Sequence, residues 1–275
     1  MSASVILATY NDLNILEWSL AAFARQSVRN FELLIADDGS SEDYAPMLRK
    51  WAARFEREIV HVRHERRGFR KTRIQNRAAY VARSDNLIFV DIDCLPQRNF
   101  VRNHLLFLGD GVALTGRRVH IRREILPSAE EIYERGLNLG TSKLIFEWLR
   151  GRARVIEHGF ELPFFYESKN NGILGCNFSI MKEDFAAVNG FNEDFEGRGG
   201  EDTDIDLRLR RNGVRVRCLR NKLIQYHLMH EVRVGTFESD QERIARGAAS
   251  GEIRAQKGLA EVREDEFTVT RYGAK

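Results

Sequence analysis

A chain of 275 residues, 43% hydrophobic and 30% charged, is long enough for a sizeable core and too apolar for wholesale disorder. The net charge of +3 is small, and no aromatic-rich recognition pattern accompanies the arginines, so nucleic acid is not expected as a partner. Three widely spaced cysteines, Cys94, Cys176 and Cys218, lack zinc-site spacing and read as buried reduced thiols; no run reaches the ~20 apolar residues that span a bilayer, and no signal-peptide pattern opens the chain.

In chain order, residues 4–9 (SVILAT) are an apolar run ending in the polar turn Tyr10-Asn11-Asp12, and a helix is expected over about 15–25. Residues 31–36 (FELLIA) predict a second strand stopped by Asp37-Asp38-Gly39-Ser40. A helix over 42–55, a strand near 58–62, a helix over 72–83 and a strand over 86–90 follow. This alternation implies βαβ crossovers and a mostly parallel sheet covered on both faces. Beyond Asp93 the pattern loosens. Expected there are strands at 112–115, 177–181, 214–219 and 223–227, helix within 129–150 and over 182–188 and 204–211, and loop over 163–175. The last ~45 residues are charged and helical in tendency.

The polar clusters fall directly after strands: Tyr10-Asn11-Asp12, Asp37-Asp38 and Asp91-Ile92-Asp93. Ligands of open α/β sheets bind in the crevice at carboxyl ends of strands. Asp91 and Asp93, two apart, can turn both carboxylates to one point, where a divalent cation relieves their repulsion and holds diphosphate oxygens. Gly199-Gly200-Glu201-Asp202 brings two further acids to the start of a helix, as simple caps or as a base for a hydroxyl proton. His227 and His230 follow a strand-like run and can complete an oxygen and nitrogen shell with Asp93. Arg63, Arg66, Arg67, Arg70, Lys71, Arg73 and Arg77 crowd one stretch, which reads either as a solvated face or as a site for a diphosphate, an anionic acceptor or a membrane surface.

Taken together, VILATYND, FELLIADDGSSED, GFRKTRIQNRAA, IFVDIDCLP, GCNFSIMKEDF and GFNEDFEGRGGEDTDI resemble the inverting family 2 nucleotide-sugar glycosyltransferases of the GT-A fold over roughly residues 4–230. The last two segments are also similar to the carboxyl-terminal part of β-1,4-galactosyltransferases and bacterial chondroitin-type polymerases. The resemblance implies a Rossmann-like central sheet, mostly parallel and flanked by helices, with a small antiparallel acceptor-side subregion. It implies a nucleotide-binding half (1–110), an acceptor and catalytic half (111–230) and a helical tail (231–275). By the same resemblance Asp202 is the catalytic base, with Glu201 orienting it or the acceptor. Asp38, the Ala8-Thr9-Tyr10 segment, Arg73, Asn76, Asp91 and Ile92 hold the donor nucleotide, and Asn177 with Gly175 lines the sugar pocket. Asp93, His230 and, more weakly, His227 ligate Mn²⁺ or Mg²⁺. Arg198 stands where the family often has a sugar-stacking tryptophan, which points to a polar or anionic acceptor.

The expected activity is inverting transfer from a UDP-sugar to a glycan or glycolipid hydroxyl in bacterial surface polysaccharide or lipopolysaccharide synthesis. A cytoplasmic protein, free or peripheral on the inner face of the plasma membrane, is expected. A non-catalytic nucleotide-sugar-binding protein and a sugar nucleotidyltransferase remain as alternatives. The nucleotidyltransferase lacks its glycine-rich phosphate loop after the first strand, and no GxGxxG supports a dehydrogenase.

Overall fold

The computed structural model describes residues 2–55, 57–164, 166–169, 172–196, 199–230, 242, 244, 245, 247 and 249–273. The first half runs β1 (Ala3–Thr9), α1 (Leu13–Ala24), β2 (Phe31–Asp37), α2 (Ala45–Phe55), β3 (Ile59–Arg63), α3 (Lys71–Val81), β4 (Asn86–Asp91), β5 (Cys94–Pro96) and α4 (Phe100–Phe107). It continues through β6 (Val112–Thr115), β7 (Arg118–Ile121), α5 (Ala129–Arg135), α6 (Thr141–Leu149), β8 (Ala153–Arg154), β9 (Asn177–Met181), α7 (Lys182–Ala187), α8 (Glu201–Arg211), β10 (Arg215–Cys218), β11 (Gln225–Leu228) and β12 (Thr268–Tyr272).

Eight strands form one sheet in the order β10-β6-β9-β4-β1-β2-β3-β12. Its middle, β4-β1-β2-β3, is parallel, and these strands are continuous apolar runs because helices cover both faces. The chain winds from β1 outward through β2 and β3, then returns to place β4 on the other side of β1. The strand order therefore reverses between β1 and β4, at the crevice where open α/β sheets take ligands. One core lies under α1 and α2 around Leu16, Phe23, Trp51 and Phe55; the other lies under α3 around Ile74, Phe89, Phe178 and Phe185.

A second sheet, β5-β11-β7-β8, stands at the end of β4. Its strands are two to four residues long, too short for alternation to be visible in sequence, and β5, β7 and β8 were not among the expected elements. Neither was α4, whose buried face mixes Phe100, Val101 and Leu105 with Asn103 and His104.

The chain end departs from the expected helical tail. Helix is present at described positions between 242 and 250, but the chain then crosses α3 and finishes as β12, antiparallel to β3. Residues 268–272 thus close the edge of the main sheet.

Candidate active site

The turn after β1 is held in an uncommon conformation. Asn11 and Asp12 both have left-handed backbones, φ 54° and 60°, a region that asparagine and aspartate tolerate best. Ser40 Oγ accepts from Asn11 N (2.8 Å), Tyr44 OH donates to Asn11 O (2.7 Å), and Asp12 Oδ1 caps α1 by accepting from Ile15 N (3.1 Å). The turn leaves Tyr10 exposed at the sheet edge while Ala8 and Thr9 form a buried floor. The carbonyls of Ala8 and Thr9 are engaged, accepting from Ile92 N and Asp38 N.

Asp38 faces that turn with its carboxylate enclosed. Oδ1 accepts from His64 Nε2 (2.7 Å), and Oδ2 accepts from Arg66 Nη1 and from the Arg70 amide (3.0 Å). The Arg66 guanidinium lies 3.8 Å over the Tyr10 ring. Gly39 makes this possible: at φ 77° it presses on Arg66, whose backbone nitrogen would be 2.5 Å from an added Cβ. A planar cation therefore stacks on Tyr10 and donates to Asp38, the pair expected to hold a nucleobase.

The second cluster joins three elements. Lys71 opens α3 and reaches Asp91 at the end of β4 (2.9 Å) and Glu201 at the start of α8 (3.8 Å). A lysine in the first turn opposes the helix dipole, so the acids, not the helix, account for its position. They also hold its ammonium well above the ordinary lysine range, against the effect of burial. Asp202 lies beside it. Gly200 at φ 88° begins α8 without a side-chain cap, and Glu201, Asp202 and Asp204 lie in its first turn. Asp202 Oδ1 is enclosed against Gly175, where a Cβ would come within 2.3 Å, and it has no hydrogen-bond partner among the described residues. Burial, followed by the charge of Glu201, pushes the Asp202 carboxyl up to about 7, while Lys71 pulls the other way. The helix dipole favours an anion here, but desolvation is the larger effect.

The third cluster is set by strand register. In the second sheet His227 of β11 lies opposite Cys94 of β5 on one side and His120 of β7 on the other. Leu228 N donates to Asp93 O (2.9 Å), fixing the residue before β5. Asp93 Oδ2 is then 3.4 Å from His227 Nε2 and 3.2 Å from His230 Nε2. These contacts hold its carboxyl far below the usual range although burial opposes them. His227 Nδ1 is 3.2 Å from His120 Nδ1. Burial and the neighbouring His227 depress His120 to about 4, so His120 is neutral, and a single proton is shared between the two Nδ1 atoms. With a cation at Asp93, a proton on His227 Nδ1 donated to His120 would free the His227 Nε2 lone pair for ligation, the arrangement of a metal-ligating histidine held by an outer partner.

The donor set fits a divalent cation. Bonds of ~2.1 Å at right angles give ligand-to-ligand edges of about 3.0 Å, close to the separations at Asp93. Cys94, also adjacent, is a poorer ligand: its buried thiol is raised well above the usual range and donates to Asp93 Oδ1 (3.4 Å). All three cysteines are buried and free.

Several expectations are corrected. Asp91 and Asp93 do not share partners: one binds Lys71, the other the histidines. Asn76, expected at the donor, is fully buried, donating to Phe191 O (2.8 Å) and accepting from Phe191 N (3.0 Å). Arg73 pairs with Glu193 and Glu266, on the side of α3 facing the chain end. Asn177 is also buried and donates to Leu223 O (2.9 Å). Ile92 has both main-chain groups engaged, donating to Ala8 O and accepting from Ser19 Oγ. The basic stretch is divided: Arg63 and Arg67 lie on an exposed face, and the other cations are largely paired with acids. Arg66, Lys71, Arg73 and Arg77 are spent on Asp38, Asp91, Glu193, Glu201 and Glu266. Lys71 and His120 went unread as site residues because their partners are distant in sequence. Arg198 lies outside the described residues.

The sequence model of glycosyl transferase family 2 matches residues 4–162, and that of the N-terminal domain of galactosyltransferase matches 157–232. The first spans more than half of the chain, which belongs to glycosyl transferase family 2. The chain is 24% identical over 261 residues to validoxylamine A glucosyltransferase of Streptomyces hygroscopicus subsp. jinggangensis, covering 88% of this chain and 60% of that protein. It is 26% identical over 239 residues to chondroitin synthase of Escherichia coli, covering 82% and 34%. It therefore spans well under two thirds of these relatives. Among solved structures, S. aureus TarS 1–349 in complex with UDP-GlcNAc superposes with a TM-score of 0.63 at 16% identity, covering 94% of this chain and 69% of that one. A mannosyltransferase of Pyrobaculum calidifontis in complex with GDP-Man and Mn²⁺ gives 0.56 at 19%, covering 93% and 65%. At these identities the likeness carries the fold, which is of the GT-A type.

Proposed function

We propose that this family 2 glycosyltransferase transfers a sugar from a UDP-linked donor to a hydroxyl of a glycan or glycolipid, with inversion at the anomeric carbon, in bacterial surface polysaccharide or lipopolysaccharide synthesis. The observation that carries the reading is Lys71, which ties Asp91, at the nucleotide end of the cleft, to the Glu201 and Asp202 pair. A base and a leaving-group site on opposite sides of one sugar are what single displacement with inversion requires. The TarS complex with UDP-GlcNAc supports a uridine donor on this fold.

In this mechanism the nucleobase stacks on Tyr10 and bonds to Asp38, displacing the Arg66 guanidinium from that slot. Asp93, His227 and His230 hold Mn²⁺ or Mg²⁺, with His120 fixing the tautomer of His227. The cation supplies Lewis-acid stabilisation of the departing diphosphate. Lys71 holds Asp91 and Glu201 in place. Asp202, with its carboxyl near 7, is ionised in a useful fraction at neutral pH yet basic enough to take the proton of the acceptor hydroxyl. Gly175 leaves the space in which its Oδ1 sits.

The test is release of UDP and formation of a glycosidic product from a panel of UDP-sugars and acceptors with Mn²⁺. Activity lost on chelation and in Asp202→Asn supports the proposal. UDP binding without turnover on any acceptor would favour a binding protein instead.

A further inference from the structure

Helix α6 has its polarity reversed. Its buried positions are Leu144 and Glu147, and Glu147 accepts from Arg152 Nε (2.6 Å). The outward side presents Ile145, Phe146, Trp148 and Leu149, exposed by 41, 52, 52 and 71%. A surface helix ordinarily turns its apolar stripe inward. Four large apolar side chains within five residues form a contiguous patch, and patches of this kind mark interaction surfaces where scattered single residues do not. Val155, just past β8, is also exposed.

The rim of the patch is basic. Lys143, Arg150 and Arg154 are exposed, and the Arg150 guanidinium lies 5.3 Å over the Phe146 ring. Between residues 141 and 155 the single acid is Glu147, which is turned inward. A second copy of this face would meet like charge, and so would any basic partner. Aromatic and aliphatic side chains ringed by lysine and arginine suit the headgroup level of an anionic bilayer, where the apolar residues enter the acyl boundary and the cations meet phosphates. Among the described residues no helix is long and apolar enough to cross a membrane, so the contact is peripheral.

We infer that α6 is a docking surface for an anionic membrane, seating Ile145, Phe146, Trp148 and Leu149 in the interface with Lys143, Arg150 and Arg154 on lipid phosphates. The helix packs on β8, which pairs with β7, which in turn pairs with the strand carrying His227. The surface is thus built on the same small sheet as the histidines of the site. Of the arginines of residues 63–77, one expected source of membrane contact, Arg66, Arg73 and Arg77 are paired with Asp38, Glu193 and Glu266, while Arg63 and Arg67 stay exposed.

The test is sedimentation of the full chain with vesicles in the absence of donor, acceptor and metal, so its result is independent of the transferase reading. The chain should bind vesicles of equal parts phosphatidylcholine and phosphatidylglycerol and bind phosphatidylcholine alone far more weakly. Phe146→Ser with Trp148→Ser should weaken binding at least about tenfold. Lys143→Gln with Arg150→Gln should weaken it about fivefold for each charge removed. Both double variants should keep the parental melting temperature, since the side chains are exposed. In Trp148→Phe the blue shift of tryptophan emission on vesicle addition should disappear. Absence of binding, or equal binding by parent and variants, overturns the inference. So does sedimentation equilibrium showing a dimer that Trp148→Ser dissolves, because the patch is then a self-association face.

Discussion

Lys71, Asp91, Glu201 and Asp202 meet because α3, β4 and α8 converge on the end of the parallel sheet, each contributing a terminus. Asp93, His120 and His227 meet because β5, β7 and β11 are hydrogen-bonded side by side. The first cluster is a balance of buried charges, in which one cation decides how readily a neighbouring carboxyl loses its proton. The second is a register, in which neighbouring strands bring one ring against the next. Electrostatic balance suits proton transfer, since small changes in burial move a pKa. Register suits ligation, since it sets where each ring stands.

Breaking the first cluster at its acid should have the largest effect. Asp202→Asn removes the base and should lower kcat by about 10²–10⁴-fold, while calorimetry finds UDP affinity nearly unchanged. A loss confined to UDP affinity would move Asp202 to the nucleotide side. The second cluster is sharpened by a residue that touches no donor. His120→Ala frees the His227 ring and should weaken Mn²⁺ binding about 10–100-fold, with kcat largely restored at saturating metal. Unaltered Mn²⁺ affinity would remove His120 from the metal's support.

The smallest effect separates charge from geometry. Asp202 acts as carboxylate, so the rate should fall as pH drops through about 7, where its proton returns. Lys71 lowers that value and Glu201 raises it. Lys71→Met therefore leaves Asp202 more readily protonated, and the acid limb of the kcat profile should move to higher pH. An unmoved limb would mean that Lys71 only holds position.

The parallel half was legible because its strands are buried on both faces: SVILAT, FELLIA and NLIFV announce themselves as apolar runs, and the acids after them mark the sheet edge. The small sheet was not, since four residues of β7 or two of β8 carry no period, and which strand lies beside which is a tertiary fact. At the site, acids and histidines were readable as chemistry-bearing types following strands. Their partners were not. Lys71 looked like one more cation in a basic run, and Asn76 and Asn177 looked like polar residues near a ligand, whereas both are buried and each donates to a main-chain carbonyl.

Calorimetric titration of UDP into the parent chain, Asp93→Ala and Asp202→Asn, each with Mn²⁺ and with chelator, tests most directly whether the two clusters divide the work within one cleft. The account predicts Mn²⁺-dependent UDP binding in the parent, its loss in Asp93→Ala, and its retention in Asp202→Asn. Binding insensitive to chelator, or lost equally in both variants, would contradict it.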